Sequence, residues 1–118
     1  MPRRRGPTTC WPTGTNPSGC PRLRYLFVVE NKVYAGEQKD QLSRYSLWLD
    51  AQQRFYDTRV LVFLTPGGRE ATSSGGCEYL RLSYRQDVVA LLERARSQVQ
   101  APAARLTVAQ YLDVIMNL

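Results

Sequence analysis

Two apolar runs stand out in the pattern of hydrophobic and polar positions along this chain. Residues 25–29 and 60–63 are apolar without interruption. A strand that is apolar at both odd and even positions is typical of the middle of a sheet covered on both faces. We therefore predict inner strands over residues 23–33 and 59–64. Residues 78–84 alternate apolar and polar side chains, which predicts a third strand.

The segments between and after these strands have the spacing of amphipathic helices. Residues 37–54 place Leu42, Tyr45 and Leu49 on one helical face, so we predict a helix that packs this stripe against the sheet. Residues 86–99 carry a second apolar stripe of the same kind. Between the second and third strands, the chain is polar and rich in glycine and serine, which predicts a long loop.

One more helix is predicted at the end of the chain. Pro102 is expected to break the preceding helix, and Thr107 is expected to cap the last one. The order is then strand, helix, strand, strand, helix, helix. This order predicts an α/β fold with a central mixed sheet flanked by helices, and α+β is the alternative.

The first part of the chain has a different composition. Residues 1–21 are rich in proline, glycine and threonine, and they show neither a helical nor a strand period. We predict a disordered or irregular basic tail over 1–21, followed by one domain over 22–118. Of the net charge of +6, residues 1–29 contribute five arginines and no acidic residue. Such a stretch can attract nucleic acid, and a solvated tail is the alternative interpretation.

The scarcity of some residue types excludes several classes of function. The chain has no histidine, which excludes Ser-His-Asp and Cys-His catalysis and histidine-ligated zinc. The three cysteines, Cys10, Cys20 and Cys77, lack CxxC spacing, so neither a zinc site nor a disulfide scaffold is expected. An odd number of cysteines suits a reducing cytoplasm. No apolar run approaches the roughly 18 residues of a membrane span, and no contact with a membrane is expected.

Candidate chemistry begins where the first apolar run ends. Glu30 and Lys32 are two residues apart, so on a strand their side chains point to the same face. Burying both charges is unfavourable unless they are used or paired. A carboxylate can bind Mg²⁺, and an ammonium group can stabilise a phosphate. A structural ion pair between the two side chains is the alternative.

The next helix brings two further polar side chains toward the end of this strand. Gln41 and Tyr45 are four residues apart and share a helical face. The connection from Lys32 to this helix is short, which favours a position beside the strand end. There the glutamine amide and the tyrosine hydroxyl could hold a phosphate or a metal-bound water. A core position for Tyr45 and a solvated Gln41 are the alternative.

With these residues, the chain resembles the PD-(D/E)XK nuclease superfamily, in particular the RecB-like and lambda-exonuclease-like branch that carries a Gln-x-x-x-Tyr motif after its Glu-x-Lys strand. The resemblance covers residues 25–118. It implies a restriction-endonuclease-like core, Glu30 as a Mg²⁺ ligand and catalytic residue, Lys32 as the catalytic lysine, and Gln41 with Tyr45 as a supporting pair. It also implies the Mg²⁺-dependent hydrolysis of phosphodiester bonds, with DNA as the partner.

One part of the family's site is missing from this sequence. The family places an aspartate on the strand before Glu-x-Lys, whereas residues 1–29 hold no acidic side chain. One carboxylate is a poor Mg²⁺ site, so we expect hydrolysis of DNA by this chain to be impaired. The chain is then either a copy truncated or altered at its N-terminus or, alternatively, a catalytically inactive module of the same fold that binds DNA or protein.

Overall fold

A computed structural model describes residues 24–118, and the predicted tail over 1–21 lies outside the described residues. Three strands and three α-helices follow one another along the described chain: β1 (Tyr25–Asn31), α1 (Gln41–Ala51), β2 (Thr58–Thr65), β3 (Leu80–Ser83), α2 (Val89–Gln98) and α3 (Pro102–Met116). The α/β class and the order of the elements are as the sequence predicts.

The three described strands form one parallel sheet in the order β1-β2-β3. Tyr25 lies opposite Thr58 at the start of the β1–β2 pairing, and Asn31 lies opposite Leu64 at its end. β3 pairs only with the second half of β2, beginning with Leu80 opposite Val62. Over the described residues the sheet is therefore parallel, whereas the sequence predicts a mixed sheet.

The core lies between α1 and one face of the sheet. Its fully buried members are Leu42 and Leu49 of α1 with Leu61 and Phe63 of β2. Leu26 and Val28 of β1 extend this core, together with side chains from the β2–β3 loop. Burying a large aliphatic or aromatic side chain contributes about 1.5–3 kcal/mol, so this cluster fixes α1 against β1 and β2. The stripe predicted for α1 therefore faces the sheet.

The position of β1 differs from the prediction. Within the described residues β1 is an edge strand, not an inner one, because β2 is its only neighbour in the sheet. Tyr25, Phe27 and Val29 are 52%, 60% and 52% exposed on the face away from α1. An apolar run on both faces is compatible with a central strand, but the pattern cannot show that a neighbouring strand or a covering helix exists.

The C-terminal part of the chain begins with a π-helical turn, Tyr84–Val88, that leads into α2. Ser83 Oγ accepts a hydrogen bond from Gln86 N–H at 2.9 Å, and Ser83 N–H donates to Asp87 Oδ2 at 2.7 Å. Ser83 thus caps the turn in the manner of a capping box, except that the side chain returning to the Ser83 N–H belongs to Asp87, one position after Gln86. It fixes the direction in which the chain leaves β3.

The predicted start of the last helix is wrong. α3 begins at Pro102 with Ala101 as its N-cap, and Thr107 lies inside the helix, where its hydroxyl donates to the Ala103 carbonyl at 2.9 Å. Proline is well suited to the first turn of a helix because its missing N–H would have no partner there. In the described part of the chain, none of the helices is both long and apolar enough to cross a bilayer.

Candidate functional site

Glu30 and Lys32 lie at the carboxyl end of β1, on the face that packs against α1. Lys32 N–H donates to the Leu64 carbonyl at 2.9 Å, which continues the ladder beyond the strand and keeps the two side chains in register. Lys32 Nζ and Glu30 Oε1 are 3.0 Å apart, with side chains only 9% and 12% exposed. The two charges therefore form a buried ion pair, which is the alternative that the sequence left open.

Gln41 is the first residue of α1, and it faces the same region. Its Nε2 donates to the Tyr45 hydroxyl at 3.0 Å. Its Oε1 is buried and has no hydrogen-bond partner among the described residues. Leaving a buried carbonyl oxygen unsatisfied is unfavourable by about 1–3 kcal/mol, so this atom is an unused acceptor beside Lys32 and Glu30. Tyr45 packs against the core and contacts Gln41 through its hydroxyl.

These side chains meet in one narrow crevice at the carboxyl ends of β1 and β2. Glu30, Lys32 and Gln41 line it together with Glu37 and other side chains of the adjoining segments: Gln38, Leu42, Phe63 and Ser73. Ligands of open α/β sheets bind at this end of the strands, because the loops there converge. The structure thus brings three of the four predicted site residues into one crevice, and Tyr45 contacts it through Gln41.

Glu37 is the most strongly perturbed acidic group of this region. Thr72 N–H donates to Glu37 Oε1 at 2.9 Å and to Oε2 at 3.0 Å, the Thr72 hydroxyl donates to Oε2 at 2.8 Å, and Arg69 Nη1 lies 2.6 Å from Oε2. Burial alone would raise the pKa of this carboxyl. The hydrogen bonds from Thr72 and Arg69, with the charge of Arg69, outweigh burial and lower the pKa from 4.5 to about 2.

Glu37, Arg69 and Thr72 together form what we call the Glu37 clamp, since they tie the β2–β3 loop to the turn before α1. Two further hydrogen bonds extend it: Asp40 N–H donates to Ser73 Oγ at 3.1 Å, and Ser43 Oγ donates to the Ser74 carbonyl at 2.9 Å. The loop therefore forms a fixed wall of the crevice. Both Glu37 oxygens are engaged, so Glu37 is not a free substitute for the missing carboxylate.

The clamp could not be predicted from the sequence, for a physical reason. Glu37 is separated from Arg69 by 32 residues and from Thr72 by 35, and such distant pairs leave no periodic pattern. The hydroxyl-rich segment of residues 72–74 was the available signal, since side-chain hydroxyls often satisfy backbone and carboxylate groups in loops. It indicated a loop without indicating what the loop contacts.

The side chains of the crevice do not make up a Mg²⁺ site by themselves. Across residues 24–118, no group of three or more Asp, Glu, Cys or His side chains is placed to hold a metal ion. Glu30 is ion-paired with Lys32, and Glu37 is engaged in the clamp. A single free carboxylate binds Mg²⁺ weakly, because it must displace water molecules that the ion holds tightly.

Comparison with known proteins adds one positive finding. A family model of the PD-(D/E)XK nuclease superfamily matches residues 21–113, which is more than half of the chain. No significant match was found among curated proteins or among solved structures. The matched range includes β1, α1, β2 and β3, and thus every residue that lines the crevice.

Proposed function

From the premise that this chain belongs to the PD-(D/E)XK nuclease superfamily, we propose that its crevice is an impaired nuclease site for the Mg²⁺-dependent hydrolysis of phosphodiester bonds in DNA. One observation supports the proposal more than any other: Glu30, Lys32 and Gln41 line a single crevice at the ends of parallel strands. The odd number of cysteines favours a reducing cytoplasm as the compartment.

The proposed impairment follows from the number of carboxylates. Mg²⁺ would lower the pKa of an attacking water and neutralise developing charge on the phosphate. Glu30 is the residue that would hold it, with a second anionic oxygen needed from elsewhere. No acidic residue precedes Glu30 in the sequence, and the clamp occupies Glu37. The residues of this chain therefore do not fit the ion well enough to support a catalytic step through it.

The remaining side chains have roles that need no bound metal. Lys32 Nζ can move from Glu30 to a non-bridging phosphate oxygen, because it is a flexible point charge with three donors. Gln41 Oε1 can accept a hydrogen bond from a water molecule near that phosphate, which would satisfy its buried lone pairs. Tyr45 holds the Gln41 amide through its hydroxyl. The crevice has no room for a water molecule while Lys32 is paired with Glu30, so these side chains can bind and orient a phosphodiester only once that pair has opened.

A second candidate function is a nuclease-fold module that binds DNA or protein without cleaving. The ion pair between Lys32 and Glu30 favours it, because the cation that would stabilise a cleaving transition state is already neutralised. The five arginines of residues 1–29, which carry most of the net charge of +6, support DNA as the ligand.

Three measurements on the full chain separate these functions: cleavage of labelled DNA with and without Mg²⁺, titration of the protein with Mg²⁺ alone, and DNA binding as a function of salt. We expect background cleavage, no saturable Mg²⁺ binding in the low millimolar range, and salt-dependent DNA binding. Lys32→Ala, measured where circular dichroism shows that it is folded, should weaken DNA binding more than Lys39→Ala, a matched loss of charge outside the crevice lining.

Each result bears on one part of the proposal. Robust cleavage that requires Mg²⁺ and disappears in Glu30→Gln would show a complete site and overturn the impairment. Adding an aspartate-bearing strand before Arg24 should raise cleavage, and Lys32→Ala should then abolish it. If that addition restores no cleavage while DNA binding persists, the binding module is the correct function. Absence of DNA binding in every variant would contradict the nuclease site and would leave, of the second candidate, only a module that binds protein.

A further inference from the structure

Arg69 is held at both its backbone and its guanidinium group. Its backbone N–H donates to Thr65 Oγ1 at 3.1 Å, and Thr65 is only 1% exposed. Its Nη1 donates to Glu37 Oε2 at 2.6 Å and to the Glu70 carbonyl at 3.0 Å. Its guanidinium carbon lies 5.2 Å from the centroid of the Phe63 ring, within the range of a cation–π contact. Together these contacts fix the position of the guanidinium group.

The same contacts place this group at the mouth of the crevice. Glu37 and Phe63, which both contact Arg69, line the crevice. The Arg69 side chain is 47% exposed, whereas that of Glu37 is 9% exposed, so Arg69 is the solvent-facing member of the pair. A ligand that approaches the crevice from solvent on this side therefore meets Arg69 before it meets Glu37.

The Arg69 guanidinium group has donors that the described fold does not use. An arginine side chain carries five N–H donors, and the two on Nη1 are taken by Glu37 and by the Glu70 carbonyl. Within residues 24–118, no hydrogen bond uses Nε or Nη2 of Arg69. The contact with the Phe63 ring engages the face of the planar group and leaves these in-plane donors free. Nε and Nη2 form one edge, which can bind two oxygens of a phosphate at once.

We propose that Arg69 binds a phosphate of the DNA backbone at the mouth of the crevice, through its Nε and Nη2 donors. The inference rests on the proposed function, because it takes DNA as the ligand. This contact does not require the crevice to open, whereas Lys32 reaches a phosphate only after it leaves Glu30. Arg69 is thus a binding residue that positions the DNA strand before the buried ion pair opens.

The charge of Glu37 is compatible with this contact. The carboxylate binds Nη1, which is not part of the free edge, and both its oxygens also accept hydrogen bonds from Thr72. Because Glu37 offsets the charge of Arg69, the contact depends on two directed hydrogen bonds more than on net charge. A side chain already fixed in position loses little freedom on binding, which favours the contact.

Exchange of arginine for lysine tests the contact without a change in net charge. In Arg69→Lys the ammonium group can still pair with Glu37, but it has no second edge to offer a phosphate. We expect the dissociation constant for labelled DNA to rise about fivefold or more, and equally for DNA of unrelated sequences. Arg81→Lys is the matched control, since the Arg81 side chain is 50% exposed and pairs with Glu70 at 3.3 Å. It should change the dissociation constant less than about twofold.

Nuclear magnetic resonance of the unsubstituted chain separates phosphate binding from a purely structural role of Arg69. The Nε–H resonance of Arg69 should shift during titration with DNA, with the dissociation constant measured on labelled DNA, and that of Arg81 should not. A resonance of Arg69 that does not shift, or equal changes of affinity in Arg69→Lys and Arg81→Lys, overturns the contact while DNA binding itself persists. Absence of DNA binding by the unsubstituted chain overturns the contact together with DNA as the ligand of the crevice.

Discussion

The crevice at the carboxyl ends of β1 and β2 and the outer edge of β1 differ in how completely their groups are paired. At the carboxyl ends of β1 and β2, polar groups are paired: Lys32 with Glu30, Glu37 with Arg69, and Thr65 Oγ1 with the N–H groups of Gly68 and Arg69. A few ångströms away, the outer edge of β1 leaves apolar side chains and backbone groups without partners among the described residues. The same strand belongs to both regions.

This difference shows where the crevice obtains its rigidity. The walls of the crevice are held by β2, α1 and the β2–β3 loop, all of which lie on the inner side of β1. Whatever pairs with the outer edge is not needed to position Glu30, Lys32 or Gln41. We therefore expect substitutions in the paired region to destabilise the domain strongly and substitutions on the outer edge to have little effect on its stability.

The largest effect is expected at the buried ion pair. Lys32→Ala should lower the free energy of unfolding by about 3–5 kcal/mol, because it leaves the Glu30 carboxylate buried without its cation. The double variant Glu30→Gln/Lys32→Met should be more stable than Lys32→Ala, since it removes both charges and keeps the volume. Urea unfolding measures both. Equal losses in the two variants would show that the pair is not coupled in the folded state.

The Glu37 clamp should have the next largest effect. Glu37→Gln removes the charge that accepts from Arg69 and Thr72, and hydrogen bonds to charged groups contribute about 1.5–3 kcal/mol. Glu70→Gln is the control, because the Glu70 side chain is 77% exposed and its contact with Arg81 is a surface ion pair. Such pairs contribute about 0–1 kcal/mol. If both variants unfold at the same urea concentration, the clamp does not stabilise the loop.

Acid should release the clamp over a defined range of pH. The pKa of Glu37 is about 2 in the folded chain and 4.5 without the fold, so the unfolded state binds the proton more readily. The stabilisation is complete above pH 4.5 and is lost as the pH falls toward 2. The gap in unfolding free energy between the native chain and Glu37→Gln should narrow across this interval. A constant gap would assign the effect to packing instead of charge.

Features set by residues close together in the sequence could be predicted, and features set by distant residues could not. The stripe of Leu42 and Leu49 was predicted because a helix repeats every few residues, and its burial follows from that period alone. The shared face of Glu30 and Lys32 was predicted from strand alternation in the same way. The roles of Gln41 and Tyr45 rest on their shared helical face and on the resemblance, and they stay predictions even though the structure places Gln41 in the crevice.

Features that depend on distant or absent neighbours could not be predicted. β1 has the pattern of an inner strand, yet its place in the sheet depends on whether another strand exists beside it. Proline breaks a helix when it lies in the interior and is favourable when it is the first residue. The sequence alone does not show which of these positions Pro102 takes, and in the structure it is the first residue of α3. The partners of Glu37 lie more than thirty residues away.

A smaller effect is expected where the loop packs on α1. Gly75 and Gly76 both have positive φ angles, 62° and 77°, so alanine at either position introduces similar backbone strain. A Cβ atom at Gly75 would overlap Ser43 Oγ, whereas one at Gly76 would meet no atom within 4 Å. Gly75→Ala should therefore cost about 1 kcal/mol more than Gly76→Ala, since Ser43 must give up its hydrogen bond to Ser74. Equal costs would mean that Ser43 moves aside without losing its partner.

The smallest change in the free energy of unfolding is expected for Phe27→Lys on the outer edge of β1, in contrast to Glu37→Gln in the clamp. Phe27 is 60% exposed, so Phe27→Lys removes little buried surface. The free energy of unfolding should change by no more than about 0.5 kcal/mol, as for other surface substitutions. Urea unfolding of Phe27→Lys beside the unsubstituted chain measures this directly. A loss of several kcal/mol would show that Phe27 is covered in the folded chain, and the contrast between the paired region and the open edge would then be wrong.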